Sequence, residues 1–352
     1  MNIWIDICHI PQFNFFKPLI TELAQRGDLV YVTVLNRGKT AMIMRHELEG
    51  VENVQMYVIG KHRMNKFSAI IDANIIRMLK LMYWILNKHI DVALSTNIFT
   101  SFLGWLFRIR NYSYGDDPQV FDLRPNSRFA TKAHMCIYEW TLEETKPKRT
   151  IILPCLKEWA YLNPRTFKPN EKVLEKYGMK PKEYIFLREV TVGTVNYAGQ
   201  ESGAILGIKA IIPKGMKVLF SLEEKKRRDE YPADWILLQE PIEDIHSLIY
   251  YSAGLVSSGD SMAREAALLG VPAYYLGIRY SMPANAAASK VASLQNRKTM
   301  PFETWIDSLP TDVQECEKRQ KELRAHIDNE FIDINQYMLK LVEDIAQNKS
   351  SK

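Results

Sequence analysis

Apolar and polar positions along the first 115 residues follow two periods in turn. Ile3, Trp4, Ile5 and Ile7 form a short apolar run that predicts a buried strand. A loop over residues 8–13 follows. Phe16, Leu19, Ile20, Leu23 and Ala24 then recur at helical spacing, with Asn14 as N-cap and Gly27 as stop. The same reading predicts strands at 29–35, 54–59, 91–95 and 112–114, and helices at 40–49, 65–88 and 98–107. The long helix 65–88 gathers Ile71, Ile75, Met78, Leu79, Met82, Ile85 and Leu86 on one face, with Lys66, Arg77, Lys80 and Lys88 opposite. Such a stripe reads first as core, and as a membrane-surface face only second.

The rhythm lapses over residues 116–132, which are polar and loop-like. Residues 150–154 and the proline-rich 162–169 read as a linker. It restarts with a strand at 184–187, a helix at 200–212 and a strand at 217–221. Strand, helix, strand, helix and strand follow at 235–238, 245–251, 254–256, 262–269 and 272–276. From 311 the chain is charged and helical. Ile334, Tyr337, Met338, Leu341 and Ile345 make a stripe that a free tail would waste, so part of 311–352 is expected to pack back on the first domain. Two runs of strand–helix alternation imply two parallel α/β sheets, in domains at 1–165 and 166–310.

Length agrees, because a chain of 352 residues exceeds the size at which single cores tend to split. Charge is uneven. Residues 1–165 hold 21 Lys+Arg against 15 Asp+Glu, a net +6, and the remainder holds 25 against 26, a net −1. A mildly basic first half suits an anionic partner, such as a phosphorylated or lipid-linked acceptor or a membrane surface. It is too sparse for a nucleic-acid footprint. Cys8, Cys136, Cys155 and Cys316 form no ligand pattern, which predicts reduced thiols in a cytoplasmic protein with no metal and no resident cofactor. The N-terminus has no basic leader pattern, and the longest apolar stretch, 98–107, is too short to span a bilayer. Any membrane association is expected to be peripheral, at the inner face.

Candidate chemistry concentrates where the strand at 254–256 runs into Ser257-Ser258-Gly259-Asp260-Ser261 and a helix starts at once. Small residues at a helix start expose N–H groups where the dipole favours an anion, which suits a diphosphate. Glu265, a turn further in, can accept from two ribose hydroxyls. The plainer alternative makes the turn a cap and Glu265 a surface residue.

Strand, Ser/Gly-rich turn, Glu-bearing helix, then Gly270-Val-Pro272 and another strand resembles the nucleotide-sugar segment of the GT-B superfamily. That superfamily includes UDP-N-acetylglucosamine 2-epimerase and the N-acetylglucosaminyltransferase that makes lipid II. Ile3-Trp-Ile-Asp-Ile-Cys-His-Ile-Pro11, Val58-Ile-Gly-Lys-His62 and Trp159-Ala-Tyr-Leu-Asn-Pro164 look closer still to a prokaryotic GT-B-like family of unknown function. The resemblance implies two Rossmann-like domains facing across a cleft. It implies a glycosyltransferase of surface-polysaccharide or glycoconjugate synthesis that takes a nucleotide-activated sugar. Ser258, Gly259, Asp260 and Ser261 would meet the phosphates and Glu265 the ribose, and the backbone over 237–242 would read the base. Arg188 matches a diphosphate position, with a structural salt bridge as the competing reading.

On the first domain, His9 follows the first strand, where superfamily members place an acceptor or catalytic loop, and can serve as a general base. A lone His at a strand end is more often structural. Asp116 and Asp117 can activate an acceptor hydroxyl or hold a cation, or make an Asp-Asp-Pro turn. Lys61, His62 and Arg63 can meet an anionic acceptor or form a solvated loop, the loop being the preferred reading for Arg63 alone. The 2-epimerases carry a Glu-Ala-Asn-Arg-like segment where this chain has Arg124-Pro-Asn-Ser-Arg128, and a His where 188–199 has none. An epimerase therefore ranks second, and a non-catalytic nucleotide-sugar-binding protein is the remaining alternative.

Overall fold

The first strand, β1 (Asn2–Ile7), buries its last five residues, Ile3, Ile5 and Ile7 on one face and Trp4 and Asp6 on the other, as a central strand covered on both sides must. In the computed structural model it pairs in parallel with β2 (Leu29–Asn36) on one side and β4 (Val92–Ser95) on the other. The structure describes residues 1–61, 75–118, 123–192, 197, 199–238, 242, 244–310 and 312–350. With β3 (Val54–Lys61), β5 (Arg110–Gly115), β6 (Lys132–Cys136) and β7 (Thr150–Leu153), these strands form a parallel sheet of order β3-β2-β1-β4-β5-β6-β7. The connecting helices are α1 (Ile10–Gln25), α2 (Thr40–Glu47), α3 (Arg77–Leu86), α4 (Ile98–Leu106) and α5 (Leu123–Phe129). Sequence order runs one way from β1 to β3 and the other way from β4 to β7. Right-handed crossovers therefore place α1 and α2 on one face and α3, α4 and α5 on the other.

The second sheet is built alike. Its order is β10-β9-β8-β11-β12-β13, from β8 (Tyr184–Glu189), β9 (Lys217–Leu222), β10 (Ile236–Leu237), β11 (Gly254–Ser257), β12 (Ala273–Tyr275) and β13 (Leu294–Asn296). Around it lie α6 (Ile245–Tyr250), α7 (Asp260–Leu268), α8 (Pro283–Val291), α9 (Phe302–Asp307) and α10 (Val313–Glu330). Phe220, Tyr231, Trp235, Tyr274, Phe302 and Trp305 fill the core on one face of this sheet.

The chain divides into one unit of residues 1–161 with 332–352, and a second of 162–331. The final helix, α11 (Ile334–Ser350), packs on α1 of the first unit. There Asn335 donates to the Ala160 carbonyl (2.7 Å), and Arg26 pairs with Glu343. The preceding helix α10 belongs to the second unit, so only the last part of the segment 311–352 returns to the first.

Local structure departs from the sequence reading in several places. The first helix starts at Ile10 with His9 as N-cap, because Pro11 is tolerated in a first turn, so there is no loop to residue 13. Residues 150–153 are not linker but the edge strand β7, paired to β6. Within the polar stretch 116–132 lies α5. Over 200–212 only a 3-10 turn, Leu206–Ile208, forms, because Gly203 sits at φ +88° and interrupts any helix. Of the helix expected at 65–88, the part before residue 75 lies outside the described residues, as do His62 and Arg63.

Candidate functional site

In doubly wound sheets, ligands bind beyond the carboxyl ends of the strands, where the strand order reverses. In the second sheet that point lies between β8 and β11, and Ser257 stands in register beside Arg188 there. The turn after β11 is tightly braced. Ser257 Oγ accepts from the Gly259 N–H (3.0 Å) and donates to the Gly259 carbonyl (2.7 Å). Ser258 is fully buried. Its N–H donates to the Arg188 carbonyl (3.0 Å), its Oγ accepts from the Val190 N–H (2.9 Å), and its carbonyl accepts from Gln200 (2.8 Å). The Ser258 hydroxyl thus ties β11 to β8. Gly259 is required by space, since a Cβ there would stand 2.6 Å from Val190 Cγ1.

Helix α7 begins at Asp260 with Gly259 as N-cap and no side-chain cap. The first N–H groups of a helix have no intrahelical acceptor, so those of Asp260 and Ser261 point outward at its positive end. The Asp260 carboxylate already sits there, almost buried. It is balanced by Arg279 (3.1 Å) and Arg264 (3.5 Å), and Arg264 is held in turn by Asn285 (2.7 Å). Arg279, in the loop after β12, was not singled out from the sequence. A cation three residues beyond the end of the strand expected at 272–276 was the available signal.

Arg188 is engaged locally. Its guanidinium donates to Ser221 Oγ (2.7 Å) and pairs with Glu223, which also accepts from the Thr191 N–H (2.8 Å). The structure thus gives Arg188 a salt bridge, and Arg279 is a further cation at the turn. Glu265, about one-tenth exposed, lies 3.5 Å from His246 Nε2 on α6, a neighbour the sequence did not announce. Residues 239–241, within the stretch expected to read the base, lie outside the described residues.

The first sheet reverses between β1 and β4, and His9 follows β1 directly. His9 Nδ1 is buried with no hydrogen-bond partner among the described residues. Burial, with Lys157 and Arg37 adding to it and Asp116 opposing, pushes the imidazole down to about 4, so it is neutral at pH 7. Asp116 makes an ion pair. Its partner is Lys157, at 2.9 Å, with both side chains about one-fifth exposed. Burial would lower the Lys157 pKa, but Asp116 outweighs it and the ammonium is held charged. His9, Asp116 and Lys157 therefore form one electrostatic group at this edge. Asp117 lies half-buried next to it. Lys157 was missed because it follows β7, which the sequence presents as linker.

Behind His9, the buried Asp6 accepts from Thr33 (2.5 Å), Asn97 (2.6 Å), Thr100 (3.0 Å) and both Arg77 Nη atoms (2.5 and 3.1 Å). This hub fixes the ends of β1 and β4 and the start of α3. Two concavities, of about 520 and 670 Å³, open at the opposite, amino edge of the second sheet against α10, away from these groups.

The first 100 residues match the model of DUF354, a protein family of unknown function. Among curated proteins, none matches the chain in sequence. Solved structures match over nearly the whole chain. The glycotransferase of kitacinnamycin is 12% identical, with 98% of each chain covered and a TM-score of 0.64. The UDP-GlcNAc 2-epimerase from Neisseria meningitidis, bound to UDP-GlcNAc, is 11% identical, with 99% of this chain and 100% of that one covered and a TM-score of 0.63. The glycosyltransferase VinC, in complex with dTDP, is 10% identical, with 99% and 100% covered and a TM-score of 0.62. The chain therefore has the GT-B fold, with two Rossmann-like domains. Identities this low carry the fold and not an activity.

Proposed function

We propose that this protein is a glycosyltransferase whose second domain holds the diphosphate of a nucleotide-activated sugar at the start of α7. The observation that carries the reading is the meeting of Arg188, the Gly259–Ser261 turn and Arg279 where the second sheet reverses. Outward N–H groups and the helix dipole favour an anion there, with Arg279 and Arg264 offsetting the Asp260 carboxylate. Ser261 completes the phosphate contacts, and Glu265 takes the ribose hydroxyls in place of His246. That two structural neighbours hold UDP-GlcNAc and dTDP supports a nucleoside-diphosphate ligand.

In this reading the first domain supplies the base. His9, neutral at pH 7, takes the proton of an acceptor hydroxyl through a ring nitrogen. The acceptor oxygen forms its bond to the anomeric carbon as the bond to the diphosphate breaks, and the nucleoside diphosphate leaves with the electron pair. Burial, with the Lys157 and Arg37 charges adding to it against Asp116, holds the imidazole unprotonated, and Lys157 and Arg37 suit an anionic, lipid-linked acceptor. Epimerisation would need further acid/base groups, and the segment Arg124–Arg128 lies within α5 with Asn126 buried against Ser101.

The test is sugar transfer from a panel of nucleotide sugars to phosphorylated and lipid-linked acceptors. His9→Ala is expected to lower turnover by about 10²–10⁴-fold, the usual worth of a general base, with nucleotide affinity unchanged. Transfer at the wild-type rate by His9→Ala would place the base elsewhere.

A further inference from the structure

The two faces of the first sheet differ in charge. On the α1 side, charges of both signs interlock: Lys17 with Glu47, and Arg26 with Glu22 and Glu343. On the other side, α3, α4 and α5 contain no Asp or Glu at all. Over residues 75–115 the sole carboxylate is Asp91, which accepts from the Asn2 N–H and sits beside His89. The same stretch carries Arg77, Lys80, Lys88, Arg108 and Arg110. Of these, Arg77 is buried on Asp6, while Lys80, Arg108 and Arg110 are exposed.

This cationic face is also apolar. Helix α3 turns Leu81 and Ile85 inward to the core they share with Leu103 of α4, and Trp84 packs on Trp4. That arrangement leaves Leu79, Tyr83 and Leu86 outside, at 50%, 73% and 67% exposure, with Trp105 and Leu106 of α4 at 54% and 46%. The stripe read from the sequence as core is therefore split, and its outer half has no cover among the described residues. No helix among the described residues is long and apolar enough to cross a membrane.

We infer that the α3–α4 face docks on an anionic phospholipid surface. Exposed Leu side chains enter the acyl boundary, Tyr and Trp sit at headgroup depth, and Lys and Arg meet the lipid phosphates. A second copy of this chain fits less well, because a two-fold contact would set these cations against one another. The inference goes beyond the transferase reading and needs no nucleotide.

Co-sedimentation tests it, using the full chain and vesicles of phosphatidylcholine with or without phosphatidylglycerol. The expected result is binding to the anionic vesicles alone, weakened by salt as surface electrostatics are. The variant Leu79→Ser/Tyr83→Ser/Leu86→Ser should bind about tenfold or more weakly. The variant Lys80→Glu/Arg108→Glu/Arg110→Glu, which leaves the packing alone, should lose binding to a similar degree, and both should keep the wild-type melting temperature. Absence of wild-type binding to anionic vesicles, or undiminished binding by the charge variant, would overturn the proposal. So would a wild-type dimer that either variant dissociates, since the face would then belong to a second copy.

Discussion

His134 is buried and His9 partly so, and burial pushes each imidazole down to about 4. His134 stacks on Tyr114 at 4.8 Å and meets the Tyr337 hydroxyl at 3.1 Å. In the unfolded chain each titrates near 6.5, so between pH 6.5 and 4 the unfolded state binds more protons than the folded one. Stability from these groups is therefore full above pH 6.5 and lost as pH falls toward 4, by roughly 3 kcal/mol per residue at most. Urea midpoints at pH 7 and 4.5 measure this, and His134→Gln should flatten the pH slope even where it lowers stability at pH 7. At this scale the sequence located residues but not their partners. It placed His9, Asp116 and Gly259 at strand ends, whereas Lys157, Arg279 and His246 arrive from distant segments that only the folded sheets bring near.

Among the elements, α3 is fastened to the first sheet by the Asp6–Arg77 ion pair, both partners being almost wholly buried. Gly60, at φ +87°, leaves room for the Arg77 stem, since a Cβ there would stand 2.9 Å from its Cγ. Asp6→Ala strands a buried guanidinium and is expected to cost about 3–5 kcal/mol. Adding Arg77→Met removes the stranded charge and should recover most of that loss in the same denaturant titration. A double variant no more stable than Asp6→Ala would show that the pair is not what matters. The strands legible from the sequence were those of continuous apolar residues, such as β1, β2 and β11. Strand β6 was hidden because Lys132 and His134 make it look polar, although Tyr112, Tyr114 and Tyr337 surround His134 with aromatic rings. Strand β7 was hidden by its length of four residues beside Pro147 and Pro154.

For the molecule, alternation of strands and helices was enough to read two α/β sheets, because that pattern admits few topologies. Where the chain passes between units was less legible. The stripe of α11 showed that it needed a partner, and only the fold shows that α10 stays with the second unit. The proposed transfer requires one thing above all, that the start of α7 holds a nucleoside diphosphate. Isothermal titration calorimetry of wild type, Glu265→Ala and His9→Ala with UDP, dTDP and GDP tests it most directly. At least one of the three should bind the wild type with one-to-one stoichiometry. Glu265→Ala should weaken that binding by about 1–3 kcal/mol, the usual loss for a hydrogen-bonding charged group, with His9→Ala unchanged. No binding by any of them, or equal affinity in a folded Glu265→Ala, would contradict the claim.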